Sequence, residues 1–463
     1  MKAHKNWSYA PYRPPFVEVG DIYICRVAPA QESIALQWLP CSTADETPQY
    51  EVLYRRRGEG EFLCAGVTAA CEYTLTGLAG GTEYECFVRA GAHKSRVRLA
   101  RCGAAPGVVV NYLHPEDEAY AFSGRYLCSP SLVRHPEGFL LASMDLFAGN
   151  HPQNLTLIFR SDDDGASWRY VSELFPCFWG KLFIHRNSLY MLAVSTEYGD
   201  LLIGRSDDGG VTFGEPTVLL RGGNGKNGEA GVHKNPQPVV EYAGRVWNTL
   251  EWGAWGRGYH APMVMSAAAD ADLLDADSWS FSDPVRYDPA WPGLPEGPST
   301  GNIEGTLVEM HGGLYNVMRY DMSRTIPNFG KVIAYRVNTS RPEAPLTYDH
   351  CIDFPANHSK FTIKYDPATQ KYYSIANRIL DAANAHSRNL LSLMGSADGE
   401  HWYVVQDLID RRQEDPAKTG FQYVDFLIEN GEILYLCRTA INGAANFHDS
   451  NYSLFGRVTL PEE

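Results

Sequence analysis

At six places along the chain, polar side chains flank short apolar hairpins, and these are the side chains able to do chemistry. Arg125, Tyr126 and Asp145 flank the first hairpin, Phe178, Trp179 and Lys181 the second, and His233, Lys234 and Glu251 the third. Asn302, Glu304, Arg319 and Tyr320 flank the fourth, and His358, Lys360 and Asn377 the fifth. Gln422, Tyr423, Asp425, Arg438 and Thr439 flank the sixth. A polar group buried without a partner costs roughly several kcal/mol, so so many at equivalent points predict a polar, functional channel. The residue types divide by chemistry. Carboxylates and neutral imidazoles exchange protons. A phenol, with an ordinary pKa near ~10, becomes a nucleophile only beside a base. Arginine holds carboxylates by charge-assisted, bidentate bonds, and a flat aromatic ring can stack on a pyranose face. Histidines also ligate metals, but no His-x-His or HExxH spacing is present, so neither a metal nor a cofactor is expected.

The elements that must position these residues repeat. One pattern, apolar strand, polar turn, apolar strand, recurs at irregular intervals of roughly fifty to seventy residues, the signature of a propeller. The copies are 130–133 with 139–143, 181–184 with 189–192, 237–240 with 246–250, 305–308 with 314–318, 361–364 with 372–375, and 424–427 with 433–436. Six copies predict an all-β fold with a six-bladed β-propeller, its innermost strands lining the axis. The last strand, 452–460, is predicted to complete a blade begun at the propeller's N-terminal end, which removes free sheet edges.

Short strands with turn signals also fill the region before the repeats, at 34–39, 50–56, 73–78 and 80–90. The run from Leu75 to Tyr84, Leu-x-Gly-Leu-x-x-x-Thr-x-Tyr, resembles a fibronectin type III module with Tyr84 at its tyrosine corner. The expected division is a fibronectin-like β-sandwich over 1–106, architectural and without catalytic residues, and the propeller over 107–463.

Ser161-Asp162-Asp163-Asp164-Gly165-Ala166-Ser167-Trp168 resembles the Asp box of the sialidase superfamily. Ser206 to Phe213 repeats it with Phe for Trp, and Ser396 to Trp402 is a shortened copy. Such turns are structural: Asp caps backbone N–H groups and Gly supplies positive φ. The fourth and sixth hairpins also resemble sialidases, through Glu304, Gly312-Gly313-Leu314 and Arg319, and through Tyr423-Val424-Asp425-Phe426. The resemblance implies that Tyr423 is the nucleophile, Glu304 its base and Arg319 a carboxylate-binding arginine. Arg438 and Arg125 would assist Arg319, and Asp145 would be the general acid. His233, His358, Lys360, Gln422 and Trp179 would line the substrate. The implied activity is exo-acting hydrolysis of a terminal acidic sugar, sialic or uronic. Two departures stand out: Cys128-Ser129-Pro130 replaces the family's Arg-Ile-Pro, and His358-Ser359-Lys360 stands where the fifth blade should carry Arg. They keep two other readings open. One is a lyase or atypical glycosidase using His233, His358 or His448. The other is a glycan-binding propeller without catalysis.

Composition narrows the partners. A net charge of −15 disfavours nucleic acid and anionic membranes. No apolar run is long enough to span a bilayer, and the first residues lack the apolar core of a signal peptide. Ten cysteines, none in a Cys-x-x-Cys pair, suit a reducing compartment. A cytoplasmic protein acting on an oligosaccharide or glycoconjugate is expected; a homo-oligomer is compatible with everything above.

Overall fold

Strand length and burial separate the two parts of the molecule. Ser33–Leu39 alternates between buried and half-buried residues, as a strand with one covered face must. Leu140–Phe147 and Ser188–Val194 are buried almost throughout, because each has a neighbouring sheet on both faces. The computed structural model describes residues 7–8, 22–40, 48–223, 228–295, 299–322, 330–356, 359–380 and 385–461. Among them are eight antiparallel sheets, two short 3-10 turns and no α-helix.

Two of the sheets form the sandwich. One holds Tyr23–Pro29, Ser33–Leu39 and Glu72–Thr76; the other is built around Tyr50–Arg56 and Glu83–Ala90. Trp38, Tyr50, Val52, Tyr84 and Val88 fill the space between them. The Tyr84 hydroxyl accepts the Ala79 N–H at 2.8 Å, the tyrosine corner expected from the sequence. The sandwich is bound to the propeller by buried polar contacts. Arg98 pairs with Asp117 at 2.7 Å and donates to the Ile24 carbonyl, also at 2.7 Å. Tyr23 donates to Glu173 at 2.7 Å. Trp7 packs in neither sheet of the sandwich but in the propeller, with Phe213 and against Gly204.

The other six sheets are the blades. Five run in simple chain order from the axis outward, the first being Tyr126–Arg134, Leu140–Phe147, Thr156–Ser161 and Arg169–Leu174. The sixth is composite: Gly420–Glu429, Glu432–Ala440 and Tyr452–Thr459 are completed by Val108–Tyr112, with Tyr452 opposite Tyr112 and Phe455 opposite Val108. The expected closure is thus present. Blade three differs from its sequence reading. Its innermost strand is split into Gly231–His233 and Val240–Tyr242, both paired with Arg245–Ala254. Pro236 and Pro238 lie between the pieces and cannot donate to the ladder.

At the rim, Ser161 Oγ accepts the Gly165 N–H at 2.7 Å, and Asp163 Oδ1 accepts the Ser167 N–H at 2.8 Å. Ser206, Asp208, Gly210 and Thr212 repeat this geometry, and Ser396 and Asp398 close a tighter version. Gly165 has φ +89°, and a Cβ there would lie 2.0 Å from the Phe455 ring.

Candidate active site

In four blades the innermost strand breaks register at the same level: between Cys128 and Ser131, Phe178 and Lys181, Ile303 and Gly305, and Gln422 and Asp425. Each break holds a non-glycine residue in left-handed backbone: Ser129 (φ 51°), Trp179 (51°), Glu304 (58°) and Tyr423 (57°). That conformation costs on the order of 1 kcal/mol or more per residue and persists only where the surroundings enforce it. Bulges re-aim side chains, and here all four residues line one cavity of ≈ 440 Å³ at the end of the axis. Its size is that of a small-ligand cleft.

Glu304 and Tyr423 face each other across Arg319. Arg319 Nη1 donates to Glu304 Oε2 at 2.7 Å and to the Tyr423 hydroxyl at 3.4 Å. Burial opposes the charge on Glu304. Arg319, His233 and hydrogen bonds from Arg319 and Tyr423 outweigh it and hold the carboxyl below its ordinary range. Burial and the Glu304 charge push the Tyr423 phenol up, while Arg319, Arg388 and Arg438 pull against them. The guanidinium carbons of Arg388 and Arg438 lie 5.7 and 5.1 Å from the centre of the Tyr423 ring. Arg388 also donates to the Gln422 side chain. Burial lowers Arg388 to about 10, where it is still charged at neutral pH. Three guanidinium groups thus surround one phenol, and one of them also holds the Glu304 carboxylate.

A second polar pair stands beside Glu304. His233 Nδ1 bonds Glu251 Oε2, and Glu251 Oε1 accepts the Gly305 N–H at 3.2 Å, next to Glu304. His233, held through Nδ1 by Glu251, lines the cavity. Trp179 stands edge-on to it at 4.4 Å. Trp255, on a 3-10 turn after blade three's second strand, lines the mouth and is 55 % exposed. Glu197 also lines the cavity and accepts from Gln153 at 2.9 Å.

Of the residues expected from the sequence, Tyr423, Glu304, Arg438, His233, His448 and Trp179 line the cavity, Arg319 bridges two of them, and Gln422 supports Arg388 from behind. Three do not join them. Asp145 is fully buried behind the bulges, where it accepts from Thr156 at 2.5 Å and from the Gly180 N–H at 3.3 Å. Burial raises it to about 7. Arg125 turns outward to Glu118 at 2.7 Å. Lys360 sits deeper on the axis, beside the Val424 carbonyl. His358 lies outside the described residues. Arg388, Trp255 and Glu197 were not among the expected residues. No group of three or more His, Cys, Asp or Glu side chains suited to a metal occurs among the described residues.

No family model and no curated protein matches this chain. Solved structures do. An α-L-arabinanase of Penicillium chrysogenum, bound to arabinobiose, superposes at a TM-score of 0.51 with 13% identity, covering 76% of this chain and 97% of its own. An α-L-arabinofuranosidase of Fusarium graminearum, bound to an iminosugar inhibitor, gives 0.51 with 12% identity, covering 77% and 98%. The likeness is one of fold. A polysaccharide (ulvan) lyase covers 96% of this chain and 95% of its own at a TM-score of 0.42 and 11% identity.

Proposed function

We propose that this protein is a glycoside hydrolase that removes a terminal acidic sugar, with Tyr423 as nucleophile and Glu304 as its base. The observation that carries this reading is the meeting of three arginines around Tyr423, one of them bonded to Glu304, where Tyr423, Glu304 and Arg438 line the cavity. Arg388 and Arg438 take the substrate carboxylate. Glu304, ionised beside Arg319, receives the phenolic proton as the Tyr423 oxygen attacks the anomeric carbon. The glycosidic C–O bond breaks, and His233, oriented by Glu251, gives its proton to the departing oxygen. Water then cleaves the tyrosyl–sugar bond by the reverse proton path. Asp145, walled off behind the bulges, is a positioning residue in this scheme. The solved propellers that bind arabinobiose or an iminosugar inhibitor support a sugar as the ligand class.

The test is a screen of 4-methylumbelliferyl sialosides, uronides and neutral glycosides, run beside an absorbance assay for unsaturated uronides. Release from an acidic glycoside, lost in Tyr423→Phe, supports the proposal. A rise in unsaturated uronide that survives Tyr423→Phe and disappears in His233→Ala replaces it with the histidine-based lyase. Glycan binding without turnover in any assay replaces it with a lectin.

A further inference from the structure

Below the cavity floor the axis carries more positive charge than the site above it uses. Lys181, Lys234, Lys360 and Lys364 come together there from blades two, three and five: Lys181 and Lys364 stand on Asp425, Lys360 on the carbonyl of the adjoining Val424, and Lys234 on the carbonyl of Trp179, two residues before Lys181. Carboxylate partners are few. Asp425 pairs with Lys181, stands 4.0 Å from Lys364 and accepts the Leu132 N–H at 2.7 Å. Asp145 is occupied by Thr156 and Gly180.

Lys234 and Lys360 are left over. Both are 0 % exposed, and neither forms an ion pair among the described residues. An ammonium carries three N–H donors. Lys234 uses two, on the carbonyls of Trp179 and Asn235 at 3.3 Å each. Lys360 uses one, on the Val424 carbonyl at 3.4 Å. Thr306 adds a further donor. It stands two residues beyond Glu304, as Asp425 stands two beyond Tyr423 and Lys181 two beyond Trp179, and its buried hydroxyl has no partner. Burial, reinforced by Lys181 and Lys360, lowers Lys234 to about 7; burial lowers Lys360 to about 8 against the pull of Asp425. A buried ammonium in this position either loses its proton or takes a counter-ion.

We propose that Lys234 and Lys360, backed by Lys181, hold one small monovalent anion of halide size on the propeller axis beneath the active cavity. Lysine heads are compact point charges without the planar fork that selects carboxylate or phosphate, so a spherical ion is the matching ligand. The site has a structural consequence. Lys234 holds the carbonyl of the bulged Trp179, and Lys360 that of the residue following the bulged Tyr423. The anion keeps both lysines charged and both bulges in place.

The thermal midpoint of the purified full chain, measured at pH 8.5 in sodium chloride and in sodium gluconate of equal ionic strength, reads this out. We expect a saturable chloride-specific rise of roughly 2 °C or more, flattened in Lys360→Met and Lys234→Met. Crystals of the unaltered protein soaked in bromide should show an anomalous peak between the two ammonium groups, which keeps the test open if either variant fails to fold. Coincident chloride and gluconate curves overturn the proposal. So does the absence of the bromide peak, and a peak without the chloride-specific rise marks an adventitious ion only, which overturns it as well.

Discussion

The rim turns and the axial mouth of this propeller both carry carboxylates, and they treat them in opposite ways. At the rim, Asp163, Asp208 and Asp398 bond to N–H and hydroxyl groups within four residues of themselves. Those local bonds leave each of them more acidic than an ordinary aspartate. At the axis, Glu304, Glu251 and Asp425 find their partners on other strands or other blades. A carboxylate satisfied inside its own turn fixes local backbone and needs nothing further. One satisfied from another blade depends on the closed ring, and its environment can be set by several elements at once.

The contrast can be broken at its strongest point first. Tyr423→Phe removes one hydroxyl and should lower kcat on an acidic glycoside by at least ~10²-fold, with an unchanged melting temperature and circular dichroism spectrum. Full activity in that variant would show that the axial cluster is as structural as the rim. Arg388→Met comes next. Loss of a charge-assisted contact to the substrate carboxylate should raise KM by roughly 10- to 100-fold, with kcat less affected and neutral glycosides indifferent to the change.

Asp145→Asn tests the electrostatic side. In the folded protein burial raises Asp145 to about 7, above the ordinary carboxylate value of 3.8. The native state therefore holds a proton that the unfolded chain has released, and stability falls as pH rises from the lower value to the higher. The melting temperature of Asp145→Asn should gain on the unaltered protein through that interval and hold its lead above it. A constant difference from pH 4 to pH 8 would refute the assignment. The rim has the opposite sign. Asp163 is held below its ordinary value, so its contribution is present above that value and lost as pH falls through the folded one. Asp163→Ala should cost about 1 kcal/mol of stability at pH 7, by analogy with capping residues, with kcat untouched.

Much of this was legible in the chain. Hairpin copies at similar intervals announce blades, because each blade must alternate apolar strands with polar turns. Glu304, Arg319, Tyr423 and Arg438 could be picked out because they stand where innermost strands begin or second strands end. Arg388 stands at neither place. It precedes Leu390–Ser396, the third strand of blade five, and reaches the axis by its length alone. Asp145 shows the reverse failure. It ends a second strand as a site residue would, but its side chain points to the back of the bulges at Ser129 and Trp179. The bulges themselves have no signature in the sequence, since serine, tryptophan, glutamate and tyrosine share no preference for positive φ. Only the packing around them imposes it.

The composite sixth blade also sets a timetable. Val108–Tyr112 leaves the ribosome early, yet its partner strand, Tyr452–Thr459, is some 340 residues further along the chain. At ~5–20 residues per second, translation takes on the order of tens of seconds to deliver that partner. During that interval the sandwich can fold from its own strands, while five blades and one orphan strand wait as an open arc with an unpaired edge. Nascent chains of this protein should therefore resist protease in the sandwich long before they do so in the propeller, and protection of the propeller should arrive in one step as Tyr452–Thr459 clears the exit tunnel.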